Sequence, residues 1–288
     1  MLANVTRTES LAARIPWIDG FAGALQKAFA PLLGQDAPRG PRDLLYGTWL
    51  GHPLHPAVVT VPLGCWTTAA ALDLLGEPGG ADLALRIGVA STPLAVASGM
   101  AQWQDATYDT APRRAGALHA ALNVGATLLM AGSMVARRRG DRSAGVALST
   151  VGLGVAVASA WLGGGLAYDL GLGVDRSAFE TPPGKWTDAC DEAALEPGKP
   201  LRVNLPNAPV LLLRHADGIH AVGATCPHLG GPLDEGKIEG ETVVCPWHGS
   251  VFSLCDGAVI HGPATTGATS YETRVHEGKV QVRHRETA

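Results

Sequence analysis

Between about residues 50 and 175 the chain is rich in alanine, glycine, leucine and valine and poor in charge. After residue 176 short runs alternate apolar and polar positions instead. The first region holds four apolar segments at roughly 56–76, 83–103, 116–136 and 144–168, each near the length of about 20 residues that a bilayer demands. Short polar connections such as "EPGGAD" and "RRRGDR" separate them. Ala, Gly, Ser and Thr dominate the segments, which lets helix backbones approach closely in lipid. A soluble bundle would need polar outer faces, and "GALHAALNVGATLLMAGSMVA" offers none. The pattern predicts a four-helix transmembrane bundle over 46–175, with the lipid bilayer as its partner. Ahead of it, within a lead-in at 1–45, residues 16–33 predict an amphipathic helix. Pro16 suits its start and Pro31 its end, while Ile18, Phe21, Leu25 and Phe29 recur at three- and four-residue steps. Such a stripe lies on a bilayer surface or packs on the next domain.

Residues 176–185, "RSAFETPPGK", predict a Pro/Gly/polar linker, and 186–288 an all-β domain. "PVLLLRHADGIHAVGAT" predicts a hairpin turning at Asp217–Gly218. "YETRVHEGKVQVRH" predicts a second, turning at Glu277–Gly278, with Val280 and Val282 on one face and Gln281 and Arg283 on the other. The expected fold class is therefore multi-domain: an all-α membrane bundle followed by an antiparallel β domain.

A length of 288 residues suits two such domains, and a net charge of −4 supplies no basic field, which excludes nucleic acid as the expected partner. The five cysteines, Cys65, Cys190, Cys226, Cys245 and Cys255, are odd in number and do not form a disulfide framework by pattern. No cleavable signal pattern is visible at the N-terminus. An even number of spans puts both ends of the membrane region on one side. The Lys/Arg bias of the connections is close to a tie, so the lack of an export signal and the thiols decide the expectation: a multi-pass cell-membrane protein with its β domain in the cytoplasm.

Two loops in the β domain carry candidate chemistry. "CPHLGGPL" holds Cys226 and His228; "CPWHGS" holds Cys245 and His248 after sixteen intervening residues. Each supplies one sulfur and one nitrogen. A zinc ion accepts two cysteines and two histidines, but zinc sites commonly draw both cysteines from one knuckle and both histidines from another. Here the loops are near copies, each with Cys-Pro at its start and glycine after the histidine. A two-iron core gripped from opposite sides explains the doubling.

The loops resemble those of Rieske proteins, and the resemblance covers about 185–284. It implies a [2Fe–2S] cluster with Cys226 and Cys245 on the inner iron and His228 and His248 on the outer one. It also implies a supporting role for Ser250, whose hydroxyl is retained, and a covering loop "GPA" carrying Pro263. Replacing two thiolates by neutral imidazoles makes such a cluster accept an electron more readily than an all-cysteine one. The histidine edges are expected to reach solvent and give the electron an exit. The quinol-oxidising members of the family carry an extra cysteine in each loop; Gly231 and Trp247 stand there in this chain, so that disulfide is impossible. Phe252 stands where those members have a tyrosine near a cluster sulfur. Fewer hydrogen bonds to sulfur imply the lower part of the Rieske potential range and argue against direct quinol oxidation. Cys255, His215, His220, His261, His276 and His284 lack matched spacing and are expected to be packed or surface residues.

"GTWLGHPLHPAVV" places His52 and His55 before the first span, and His119 lies early in the third. Ionisable groups in or beside spans are costly and point to function. Together the three would form a haem (b-type), metal or quinone site; alternatively they cap the membrane interface. The GHPLHP-opened region also resembles a bacterial membrane-domain family of undefined function. The leading expectation is a membrane-tethered electron carrier serving a redox partner protein, a reductase or a terminal acceptor. The alternatives are an oxidoreductase whose membrane histidines bind haem or quinone, and a non-catalytic redox sensor. A complete Rieske oxygenase is disfavoured because no second domain with a two-histidine, one-carboxylate iron site is visible, so a carrier component is expected rather than a stand-alone enzyme.

Overall fold

A computed structural model describes residues 7–106 and 110–285. Helices α1 (Arg7–Ala12), α2 (Ile18–Leu33) and α3 (Arg39–Tyr46) come first. Four long helices follow: α4 (Leu54–Leu74), α5 (Pro78–Gln104), α6 (Thr110–Arg138) and α7 (Arg142–Tyr168). Contacts divide the chain into two units, one made of Met1–Ala37 with Pro53–Leu172, the other of Pro38–His52 with Gly173–Ala288.

In the first unit each predicted span overlaps one long helix, and all four are long and apolar enough to cross a membrane, with mean hydropathy of 1.3–1.7 over their most apolar windows. Local sequence sets their ends. Pro53 precedes α4, Pro78 opens α5, and the Asp141 carboxylate accepts from Ala144 N at 3.0 Å to cap α7. The helices pack chiefly as the antiparallel pairs α4–α5 and α6–α7. A core of Trp66, Ala69, Leu85, Ala126, Met130 and Ala156 lies among them. No more than 33% of any apolar window is buried within the protein. Leu74, Leu128, Val151 and Val157 are exposed, as lipid-facing positions would be.

Helix α2 packs on α5 and α6. Its buried positions are Ile18, Ala22, Gln26 and Leu33, a line offset from the predicted stripe, and it runs through Pro31 to Leu33. The contact is polar as well as apolar: Arg114 forks onto the Asp19 carboxylate at 2.8 and 2.6 Å, and Gln104 Nε2 donates to Gln26 O at 3.1 Å. Of the two expected roles, packing on the next helices is the one the contacts support.

The opposite ends of the spans hold a group the sequence did not reveal. Arg137 bonds both Asp73, at 2.9 and 2.5 Å, and Asp82 at 3.0 Å. Arg142 reaches the same two carboxylates at 2.6 and 3.1 Å. The side chains of Arg137 and Asp73 are only 3% and 5% exposed. These arginines looked like bilayer-flanking charges; they clasp the α4–α5 and α6–α7 pairs together.

The second unit contains three antiparallel sheets. Its strands are β1 (Thr187–Asp191), β2 (Leu201–Leu205), β3 (Ala208–His215), β4 (Gly218–Gly223) and β5 (Lys237–Glu239), then β6 (Thr242–Val244), β7 (Val251–Ser253), β8 (Val259–His261), β9 (Tyr271–His276) and β10 (Lys279–His284). The sheet orders are β1-β10-β9, β2-β3-β4 and β5-β6-β7-β8. Both predicted hairpins form. The β9–β10 turn is Glu277–Gly278, both residues at positive φ, with Val280 and Val282 buried. The β3–β4 turn falls one residue earlier than predicted, because His215 pairs with Gly218. Strand β3 is apolar on both faces: Leu211 and Leu213 enter one core, Val210 and Leu212 another. The first of these cores contains Cys226 and Cys245.

The segment expected to be a linker lies along this β unit. Arg176 N donates to Pro227 O at 2.9 Å, Thr181 N to Asn207 O at 3.0 Å, and His284 N to Pro183 O at 2.7 Å. Residues 38–52, expected to divide between the lead-in and the membrane region, also pack with this unit. Their buried anchors are Arg42 and Tyr46, each 3% exposed.

Candidate metal centre

The two ligand loops lie between β4 and β5 and between β6 and β7, and they repeat one backbone pattern. Cys226 N donates to Gly231 O and Cys245 N to Ser250 O, both at 2.8 Å. Gly230 N returns to Cys226 O at 2.9 Å, and Gly249 N to Cys245 O at 3.1 Å. Each loop thereby folds over its own cysteine and aims its histidine across to the other. The cysteines are 1% and 3% exposed. The His228 and His248 rings lie 5.1 Å apart, centroid to centroid, at an interplanar angle of 89°.

Electrostatics suit a metal at this point. The hydrogen bond between the facing thiols, and then burial, push Cys226 well above an ordinary cysteine; a buried dithiol gives up its protons readily only to a cation. Burial, followed by the facing His248 ring and the Arg42 and Arg176 cations, holds His228 well below an ordinary imidazole, so it is neutral, the ligating form. Gly231 packs closely on the second loop: a Cβ there would stand 2.9 Å from Cys245 Sγ and 3.1 Å from the Trp247 ring. Two sulfurs and two nitrogens on opposed loops fit an asymmetric two-iron group: Cys226 and Cys245 could hold one iron, His228 and His248 the other.

Ser250 and Pro263 both lie at this site. Ser250 is fully buried, and its Oγ accepts from Ala264 N at 3.0 Å, tying the Pro263 loop to the second ligand loop. Phe252 is fully buried in the same core. Cys255 lies apart, its thiol directed at Glu241 Oε2 at 3.9 Å. Cys255→Ser is expected to leave iron content, sulfide content and the reduced-state paramagnetic spectrum unchanged; a lost signal would make Cys255 a ligand.

One expectation fails. The histidine edges do not reach solvent freely: His248 is only 7% exposed, and Tyr46 of α3 sets its ring edge-on to His228 at 6.3 Å. Arg42 Nη2 donates to His248 O at 3.0 Å. His261, expected to be a packed or surface residue, is half-buried and bonded through Nδ1 to Asp43 Oδ2 at 2.8 Å, as a packed one would be. These partners are more than 180 residues distant along the chain, and no spacing announces them. The Arg42–Tyr46 step of four, closed by Gly47, is a local sign of a one-faced helix.

Two other groups of histidines converge. At the β3–β4 turn, His215 Nδ1 and His220 Nε2 both contact Asp217 Oδ1, at 2.8 and 3.0 Å, and these bonds draw the Asp217 carboxyl down to about 2. In the membrane unit, His55 and His119 lie 6.3 Å apart. Each has Nδ1 on a carbonyl of another helix, Ala95 O at 2.9 Å and Ser159 O at 2.8 Å. His52, expected to join them, is exposed and packs with the other unit.

Comparisons with known proteins match the two halves of the chain to two families. Residues 185–272 match the Rieske [2Fe-2S] domain family, and residues 51–176 match a family described as predicted membrane protein (DUF2231). Over 98 residues the chain is 35% identical to ferredoxin CarAc of Metapseudomonas resinovorans, covering 34% of this chain and 92% of that ferredoxin. It is 30% identical over 114 residues to the cytochrome b6-f complex iron-sulfur subunit of Chlorobaculum tepidum, covering 36% of this chain and 60% of that subunit. Among solved structures, a complex of reduced oxygenase and oxidized ferredoxin in carbazole 1,9a-dioxygenase contains a chain matching at 32% identity with a TM-score of 0.34, covering 36% of this chain and 99% of that one. The chain belongs to the Rieske [2Fe–2S] proteins through its C-terminal domain, which follows a predicted membrane domain of the DUF2231 family.

Proposed function

We propose that this protein is a membrane-anchored one-electron carrier, with Cys226 and Cys245 on the inner iron and His228 and His248 on the outer iron of its cluster. The observation that carries the reading is the convergence of two buried thiols and two facing imidazoles on a chain with four span-length apolar helices. When bound, the cluster supplies a reversible one-electron store, of higher potential than an all-cysteine cluster. The chain's own residues bury the sulfurs, keep His228 neutral and fix both loops by paired backbone hydrogen bonds. Phe252 in a fully apolar setting leaves one hydroxyl fewer near the sulfurs, which favours a low to intermediate potential. The partner is then a redox protein, a reductase or a terminal acceptor; ferredoxin relatives named as components of a dioxygenase system support an oxygenase-type acceptor. None of the five cysteines is in a disulfide, which supports a β domain in the reducing cytoplasm. Stepwise reduction of detergent-purified protein should take up one electron per chain and return it to cytochrome c. A cluster that bleaches irreversibly or fails to pass its electron on would defeat the reading.

A second reading concerns His55 and His119. Ligating histidines usually donate their other ring N–H to a carbonyl or carboxylate, and both Nδ1 atoms are engaged with carbonyls here. The pair would then present Nε2 to a haem, metal or quinone within the bundle, although Asn123 Nδ2 already approaches His119 Nε2 at 3.0 Å. A haem Soret band after haem-replete expression, lost in His119→Ala, would support the haem form of this reading; its absence would remove it.

A further inference from the structure

The helix preceding the first span touches all three loops around the cluster site. Tyr46 sets its ring against His228, and Arg42 donates to the His248 carbonyl. Asp43 accepts from Gly262 N at 2.8 Å through Oδ1 and meets His261 Nδ1 through Oδ2. Just past the helix, Thr48 Oγ1 donates to Ala264 O at 3.4 Å. The fit is close: a Cβ on Gly262 would fall 2.5 Å from Thr48 Oγ1. Arg42 stacks at 5.5 Å on the Tyr46 ring, and both side chains are 3% exposed. A buried arginine that donates to a loop carbonyl and stacks on an aromatic ring is costly to place unless it compensates charge nearby.

We propose that Arg39–Leu50 is a built-in strap over the histidine side of the cluster site, with Tyr46 shielding the imidazole edge and Arg42 positioning the second loop while favouring the reduced state. The inference rests on His228 and His248 being the outer-iron ligands. An electron arriving at the cluster brings one negative charge, and a fixed cation on the His248 loop stabilises it. A partner protein would therefore exchange electrons across the strap rather than with bare imidazoles, unlike an open ferredoxin edge.

The test uses full-length protein in detergent, with cluster content checked by iron and sulfide. Arg42→Gln should weaken the hold on the electron about tenfold, a midpoint lowered by about 59 mV for a one-electron couple, and Arg42→Lys should restore most of it. Tyr46→Ala should speed reoxidation of the reduced cluster by ferricyanide at least tenfold. Leu44→Ala, on the exposed side of the same helix, should match the native rate. If Tyr46→Ala loses its cluster, Asp43→Asn serves instead: it loosens the hold on Gly262 and should also raise the ferricyanide rate. Loaded variants with the native potential and native rate overturn the strap. A native protein without any cluster would instead overturn the ligand assignment beneath it.

Discussion

Alanine in place of His248 is expected to erase the paramagnetic signal of the reduced protein. The ring is one of the two proposed nitrogen donors, and its loop neighbours Pro246, Trp247 and Gly249 carry no side chain that could replace it. The loop itself should survive, because its frame is made of backbone bonds, Cys245 N to Ser250 O and Gly249 N to Cys245 O, and Arg42 holds the carbonyl of residue 248 rather than its ring. The loss would therefore report ligation and not collapse, which circular dichroism of the variant can verify. His248→Cys sharpens the result. A third thiolate adds negative charge, so a loaded cluster in that variant should fall from the Rieske range toward the roughly −400 mV of all-cysteine ferredoxins. Retention of the native spectrum and potential in His248→Ala would disprove the assignment.

The second large effect lies in the membrane unit. Asp73→Asn should destabilise the bundle by about 3–5 kcal/mol, the usual cost of leaving a buried charge without its partner. Arg137 sits 3% exposed, and its remaining acceptors, Asp82, Ser133 and Ser149, cannot replace a two-toothed carboxylate. The melting temperature followed by tryptophan fluorescence in detergent should fall on the order of 10 °C. The paired replacement Asp73→Leu with Arg137→Leu should recover much of the loss, since apolar packing often substitutes for a buried pair. An Asp73→Asn protein that melts with the native one would show that the four charges hold nothing together.

Much of this architecture was written in local pattern. The spans announce themselves because lipid requires about 20 apolar residues in succession, and the β9–β10 hairpin because Glu277–Gly278 breaks a period-two alternation. The candidate ligand set stood out for a different reason: the same Cys-Pro start and trailing glycine occur twice, and duplication is visible without a structure. What stayed hidden was carried by distance along the chain. Arg42 and Asp43 meet His248 and His261 over 206 and 218 positions, so the segment at 38–52 looked like an approach to the membrane. Asp73 and Asp82 meet Arg137 and Arg142 only after α4–α5 and α6–α7 are packed. His215 and His220 converge because a two-residue turn folds one strand back on the other, which their spacing of five does not announce. The membrane histidines were half legible: ionisable groups in apolar helices stand out, yet only packing separates His52 from the His55–His119 pair.

The most direct measurement is the metal and acid-labile sulfide content of full-length protein isolated without oxygen. Two irons and two sulfides per chain are what a [2Fe–2S] centre on these loops requires. Zinc alone, with no labile sulfide, would contradict it.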